Sequence, residues 1–526
     1  MRRTKTILVV LTLVLAACQS APAPTTTVGS GSEATTATTA AAGAETTATA
    51  APVATGEGII IALATEPSTL DAQLVNDRSS RVVTSNIVEG LLFRTPEGEV
   101  APHLAESFEA VADDRWRFVL QQGVLFHNGE PFNADAVVFS INRIIAEDYE
   151  TQRTSYIEGL LGAEAIDEYT VEIITDGISP VVPSQMTSIP IVPPGAGADP
   201  GYGDAPVGTG PYRFVSWDRG QQINLEANPE YWGGVPSIPA FSIRVIPDAQ
   251  TALAALQAGE VDMVLDLLPE HAPLVPVFVS TPGPEFSYIQ LNSYKDIFAD
   301  PRVRQALNYA VDKETLAATI YEGHAQPNDA QHLTSGMLGY NPEVSAFPYD
   351  PELATQLLTE AGYPEGFTME LHVPIGRFLK GNETAEYVAA QLGEVGVIVE
   401  IVLTEFSVHR EVVRIPGPDP NSVDSRYGWN SNEWFDAARY SGFFTCEGGS
   451  SKICIQEIDD LHAQASSTND QEERNQLYQQ IWSLLHENPI SIYLLQQNLL
   501  YGLSEDLQWE PRADDEVLVS TMGLAG

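Results

Sequence analysis

Past residue 57 the chain switches repeatedly between two spacings of apolar residues. Residues 58–64 form a continuous apolar run that ends in Thr65-Glu66-Pro67-Ser68. This predicts a buried strand delivering a polar loop, the position at which open α/β sheets bind ligands. Residues 81–92 then place Val82, Val83, Ile87, Leu91 and Leu92 at helical spacing. Residues 116–120, 123–126 and 170–174 read as strands, and Pro131 to Asp135 opens a helix through Ile144. A stretch rich in Pro and Gly over 180–206 marks a subdomain boundary. Farther on, 241–246 predicts a strand, 249–258 a helix, and 288–291 a short strand followed by a crossing into a second lobe. Helices are predicted over 301–311, 313–322, 351–361, 384–395 and 472–487, with strands over 368–373, 397–403 and 490–495. Helices and strands alternate throughout, without an internal repeat, which indicates α/β lobes with mixed sheets.

The N-terminal segment follows other rules. Arg2, Arg3 and Lys5 precede an apolar run from Ile7 to Ala17, the layout of a secretory signal. The run is too short for a resident membrane helix, which needs roughly 20 apolar residues. It ends in Leu15-Ala16-Ala17-Cys18, which resembles the lipobox of bacterial lipoproteins, so residues 1–18 are read as a lipoprotein signal with Cys18 as the lipid attachment point. Residues 19–56 are almost entirely Ala, Thr, Ser, Pro and Gly, too poor in apolar surface to offset the entropy of ordering. They are expected to form a disordered tether with a reach of roughly 35 Å. The expected location is outside the cytoplasm, on the extracellular or periplasmic face of the cell membrane, held by lipid alone.

Charge narrows the partners. The chain carries 71 acidic and 26 basic residues, and loss of the three cations before Cys18 moves its formal charge from -45 to -48. Nucleic acid and anionic membrane surfaces both need basic patches, so neither is expected as a partner. The acids are scattered, as on a solvated acidic surface, and no metal or other cofactor is expected. With Cys18 lipidated, Cys446 and Cys454 remain as an even pair in an oxidising compartment, and they are expected to form a disulfide. Enzyme signatures are missing: there is no Gly-x-Ser-x-Gly elbow, no phosphate-cradling loop and no His-Glu-x-x-His. No catalytic residue is assigned, and the chain is read as a non-enzyme.

Several blocks then occur in an order that resembles the family 5 extracellular solute-binding proteins, the peptide- and nickel-binding group of ABC importers. Pro102-His103-Leu104-Ala105-Glu106-Ser107-Phe108 comes first, followed by Asn128-Gly129-Glu130-Pro131-Phe132-Asn133-Ala134-Asp135. Pro206-Val207-Gly208-Thr209-Gly210-Pro211-Tyr212 and Asn228-Pro229-Glu230-Tyr231-Trp232-Gly233-Gly234 are the most specific. Asp300-Pro301-Arg302-Val303-Arg304-Gln305-Ala306-Leu307-Asn308-Tyr309 continues the series. The resemblance implies a periplasmic-binding-protein-like fold (type II, cluster C) with two lobes and an extra subdomain inserted in the first. On this reading lobe I comprises residues 57–92, 203–289 and 488–526, the inserted subdomain 93–202, and lobe II 290–487. The protein is then a monomeric substrate-binding lipoprotein that works with an ABC permease and ATPase. It would close on an oligopeptide- or dipeptide-class solute.

Most motif residues are expected to be structural, with Gly208 and Gly210 sitting where a Cβ would clash. For the pocket, Arg426-Tyr427-Gly428-Trp429-Asn430-Ser431-Asn432 resembles a segment that carries an arginine, a tryptophan and an aspartate in peptide-binding relatives. There the aspartate pairs with the peptide ammonium. Here the position holds Asn432, with Glu433 and Asp436 as possible substitutes. Arg426 is read as a carboxylate or interlobe ion-pair partner, and Trp429 and Trp434 as walls of side-chain pockets. Thr65, Glu66 and Ser68 are read as ligand-bonding loop residues, and Tyr156 and Tyr493 fall near cleft tyrosines of relatives. Two alternatives stay open: a non-peptide solute such as a nickel chelate, opine or oligosaccharide, and a lipoprotein that senses its ligand and signals instead of importing.

Overall fold

The computed structural model describes residues 58–432, 434–448 and 451–525. The signal segment, Cys18, the tether and Glu433 lie outside these residues. An 11-stranded mixed sheet organises the body. On one side of it lie Ile59–Leu63, Ala240–Val245, Gln222–Ala227 and Tyr212–Asp218, and on the other Ser425–Ser431, Phe367–Pro374 and Val397–Thr404. Two long neighbouring antiparallel strands, Val277–Leu291 and Ser491–Leu503, join the two sides.

Each side has its own core, because a mixed α/β sheet must bury both faces. Ile59, Ile61, Tyr212, Phe241 and Tyr501 pack in lobe I. In lobe II, Ile289, Leu307, Leu371, Val388 and Leu494 pack on one face of the sheet, and Phe286, Tyr288, Tyr440 and Trp482 on the other. The inserted subdomain is a four-stranded sheet of Ala105–Ala112, Arg115–Leu120, Thr170–Thr175 and Leu160–Asp167, covered by the helix Ala134–Ile144 around Phe118, Ile141 and Ile173.

Local signals explain most elements. Asn133, Asp248, Asp300, Asp312, Asp350 and Asp470 each cap the helix that follows, accepting from a backbone N–H of its first turn. Pro301 and Pro351 open two of those helices, where the missing N–H costs nothing.

Three expectations differ from what is found. The helix predicted over 81–92 is Arg78–Thr84: Asp77 caps it early, and the carbonyls of Asn86 and Ile87 accept from Tyr212 and Gly210 instead of continuing a helix. The strand predicted over 123–126 is reduced to a single bridge between Leu125 and Pro131, since proline cannot donate to a ladder. The short strand predicted over 288–291 is the end of a longer one, Val277–Leu291. In Val277–Leu291 the chain leaves lobe I near Pro282, so that Phe286 and Tyr288 already belong to the lobe II core. On the return, Leu495 packs in the lobe II core and Leu500 in lobe I. Pro282, Gly283 and Pro284 form a register irregularity within one strand.

Cys446 and Cys454 are joined in a disulfide. It closes a loop whose Lys452 carbonyl accepts from Ser293 at the end of the first crossing strand. No helix among the described residues is long and apolar enough to cross a membrane.

Candidate ligand-binding cleft

A cavity of about 1040 Å³ lies between the two halves of the sheet. Its floor is the irregular part of the crossing strands, Gly283 to Glu285 and Gln497 to Leu500. One wall carries Thr65, the helix Arg78–Thr84, Tyr156 of the inserted subdomain and the C-terminal segment from Arg512. The facing wall carries Arg377, Leu379, Trp429 and Phe435.

Behind the first wall, three of the sequence blocks converge on one carboxylate. Glu89 is buried and accepts from His103 (2.8 Å), Thr209 (2.7 Å), Tyr231 (2.7 Å) and Trp232 (3.0 Å). Burial raises the Glu89 pKa, but the bonds from His103, Trp232 and Tyr231 outweigh it and leave the carboxyl below its ordinary value of 4.5. Gly208 and Gly210 lie against the Ile87 carbonyl, where an added Cβ would sit 2.0 and 2.7 Å from that oxygen. These motif residues therefore hold strand, loop and subdomain together at the cleft's edge.

Arginine–carboxylate pairs line the same wall. Arg78 grips Asp515 bidentately at 2.5 and 2.7 Å and reaches Asp266 at 2.8 Å. Arg81 pairs with Glu516, and Arg512 with Asp514. Burial raises Asp515, yet Arg78 brings it below its ordinary value. Arg94 differs. It donates to the carbonyls of Gly98 and Trp434 and lies 4.7 Å above the Phe435 ring, with no carboxylate bonded to it. Burial lowers its pKa to about 10.

Of the residues singled out from the sequence, Thr65, Tyr156 and Trp429 line this cavity. The Trp429 ring stacks on Phe378 at 5.2 Å, and its indole N–H donates to Tyr427. The Tyr156 hydroxyl accepts from Asn76. Glu66 is turned away, accepting from the Trp217 indole (2.9 Å) and the Gly220 amide (2.7 Å), and Ser68 follows it onto that surface.

Arg426 lies on the other side of the strand from Trp429. Residues three apart in Ser425–Ser431 point to opposite faces, so the two cannot share a wall. Arg426 bonds Gln290 at 2.7 Å and helps line a separate cavity of about 80 Å³ with His332 and Asn430. Asn432 is buried, donating to the Asp436 carbonyl; its own side-chain oxygen has no partner among the described residues. Asp436 is committed to Arg474 at 2.8 and 2.9 Å, so it supplies no carboxylate to the cleft. Trp434 and Tyr493 are buried in lobe II, Tyr493 among Ala330, Val344 and Phe347.

Sequence reasoning missed Arg94, Arg377 and the C-terminal wall. Arg377 had a usable signal, because it follows the end of the predicted strand 368–373, the rule already applied to Thr65. Arg94 had none, because its partners come from residues remote in the chain.

Comparison with known proteins gives one consistent picture. Residues 99–451 match the model of the bacterial extracellular solute-binding proteins, family 5. A glutathione-binding protein, GsiB of Pectobacterium atrosepticum, is 28% identical over 477 residues, covering 87% of this chain and 92% of the relative. The solved structure of HbpA2 from Haemophilus parasuis aligns with a TM-score of 0.80 at 25% identity, over 89% of this chain and 99% of that one. The oligopeptide-binding protein AppA from Bacillus subtilis, solved with a nonapeptide, aligns at 0.71 and 24% identity, over 89% and 99% of the two chains.

Proposed function

The chain belongs to the bacterial extracellular solute-binding proteins of family 5, and from that premise we propose that it captures peptide-class solutes in its interlobe cleft for an ABC importer. The observation that carries the peptide reading is an open strand edge. Ser425–Ser431 pairs along its whole length with the first crossing strand, but its other edge pairs with Phe367–Pro374 only at Ser425 and Arg426. From Tyr427 onward that edge has no strand neighbour among the described residues, and Trp429 on it faces the cavity. An extended peptide can add there as a strand, its main chain supplying affinity and its side chains alternating between the two faces. One face offers Trp429 and the large cavity, and the other offers Arg426 and the small one. Thr65 and Tyr156 are the contacts proposed from the opposite wall.

Closure follows from the floor. Both crossing strands bend where their register breaks between Pro282 and Tyr288, which lets the lobes hinge. A ligand touching both walls gains all its contacts only in the closed form and so shifts the population toward it. No bond is made or broken, and no nucleophile is needed. Attachment to the membrane through Cys18, with the tether 19–56 spacing the body from it, completes the proposal; the body acts as a monomer.

Native mass spectrometry of the body purified without denaturation tests the reading. A co-purifying series that fragments as short peptides supports it, and glutathione, the ligand named for the curated relative, would fall in that class. A single sugar or metal chelate would replace the ligand class while leaving the transport role intact. Metabolic labelling with a palmitate analogue should mark the wild-type protein and not Cys18→Ala.

A further inference from the structure

The cleft departs from the charge of the rest of the molecule. The chain holds 26 basic residues against 71 acidic ones, yet six arginines and seven carboxylates line the cavity. The seven carboxylates are all occupied. Asp515 and Asp266 bind Arg78, Glu516 binds Arg81, and Asp514 binds Arg512. Glu89 has its four donors, and Asp77 caps the helix Arg78–Thr84 while accepting from the Ser79 and Ser80 hydroxyls. Glu285 also has a partner within the protein.

Of the arginines, Arg78, Arg81 and Arg512 are in those pairs, and Arg153 bonds the Val75 and Ser188 carbonyls and has a further partner within the protein; the remaining two are different. Arg94, only 7% exposed, bonds main-chain carbonyls alone, so a nearly desolvated cation faces the cavity without a bonded carboxylate. Arg377, exposed on the opposite wall, lies over Phe378 at 5.1 Å and Phe406 at 5.4 Å and makes no ion pair among the described residues. Aromatic stacking of this kind restrains a guanidinium while leaving its donor fork open to a carboxylate. Arg94 feels Asp514 and Asp436 only at a distance, which leaves part of the cost of its burial unmet, and a ligand anion that bonds it on arrival relieves that cost.

On the premise that the ligand is peptide-class, we propose that the cleft selects net-anionic ligands. One ligand carboxylate is met by Arg377 and another by Arg94, which stands where the first wall meets Trp434 and Phe435. Among the described residues, the position that would counter a peptide ammonium supplies no charge, since Asn432 is buried against the Asp436 carbonyl and Asp436 is held by Arg474; Glu433 lies outside them. Among the described residues, therefore, the two cations have no matching free carboxylate in the cleft.

The test is competitive capture by the full-length protein from an equimolar tripeptide library of acidic, neutral and basic members, read by native mass spectrometry. Acidic members should be enriched at least tenfold over neutral ones. Arg377→Gln should abolish most of that enrichment while keeping the melting temperature and the weak binding of neutral members. Arg94→Gln should act the same way, provided it melts like the wild type; if it does not fold, Arg377→Gln alone decides. Enrichment without charge bias, or of basic members, overturns anionic selection and leaves the peptide reading standing. Capture of no tripeptide overturns the peptide reading and the proposal built on it together.

Discussion

Two buried polar regions flank the cleft, and they are bonded in opposite ways. Around Glu89, a single carboxylate meets four donors from three separate chain segments. Across the cavity, residues 432–435 leave polar groups without partners among the described residues: the Asn432 side-chain oxygen and the Trp434 indole N–H. There Phe435 also adopts φ of 52°, which is strained for a bulky side chain. A saturated network rigidifies what it touches, whereas strain and unmet bonds collect where structure serves function. The contrast marks the Glu89 network as scaffolding and is in keeping with the recognition role proposed for the side that carries Trp429. It also explains why the most recognisable sequence blocks mark the family without marking its ligand.

Substitutions can break or sharpen that division. The largest effect is expected for Glu89→Ala, which removes one buried acceptor and leaves its four donors without it. A loss of about 3–5 kcal/mol in urea unfolding is expected, and a loss below about 1 kcal/mol would mean the hub is not scaffolding. Trp429→Ala should act on the other quantity. It should weaken capture of co-purified ligand by about 2 kcal/mol, or roughly 30-fold, in calorimetry, with the unfolding midpoint nearly unchanged. Equal affinity would remove Trp429 from the site.

Acid should act on the scaffold next. Glu89 and Asp515 both have pKa values lowered in the folded protein, so their stabilisation is complete above their ordinary values of 4.5 and 3.8. It is lost as pH falls through the folded values. The stability of Glu89→Gln should therefore fall less steeply below pH 4.5 than that of the wild type, as read by thermal melts across acid pH. The smallest effect belongs to Glu66→Gln. The Glu66 carboxylate is turned toward Trp217 and Gly220, so ligand affinity should change less than about twofold.

Legibility in the sequence followed the range of the interactions involved. The strand Ile59–Leu63, the helices opened by Asp300-Pro301 and Asp350-Pro351, and the disulfide pair all rest on neighbours within a few residues or on compartment logic. Each was readable as written. Ser425–Ser431 was not assigned as a strand, because its partner along the sheet is Glu285 to Leu291, some 140 residues earlier. Reading it as a strand would have separated Arg426 from Trp429 by alternation alone. The lobe to which Tyr493 belongs was hidden for a related reason: Ser491–Leu503 serves both lobes, and an apolar strand does not announce where it changes core.

The sequence by itself determined the alternation of helices and strands, the acidic surface and the ordered blocks that identify the family. These depend on side-chain periodicity, net charge and local turn chemistry, which act along the chain. Only the tertiary structure decided which charges in the cleft are already neutralised. Arg78 and Arg94 stand sixteen positions apart and look alike in sequence, yet one is paired with two carboxylates and the other with none. Whether a charge is available to a ligand depends on groups hundreds of residues away, Asp515 for one and the Trp434 carbonyl for the other, and only folding brings them within bonding distance.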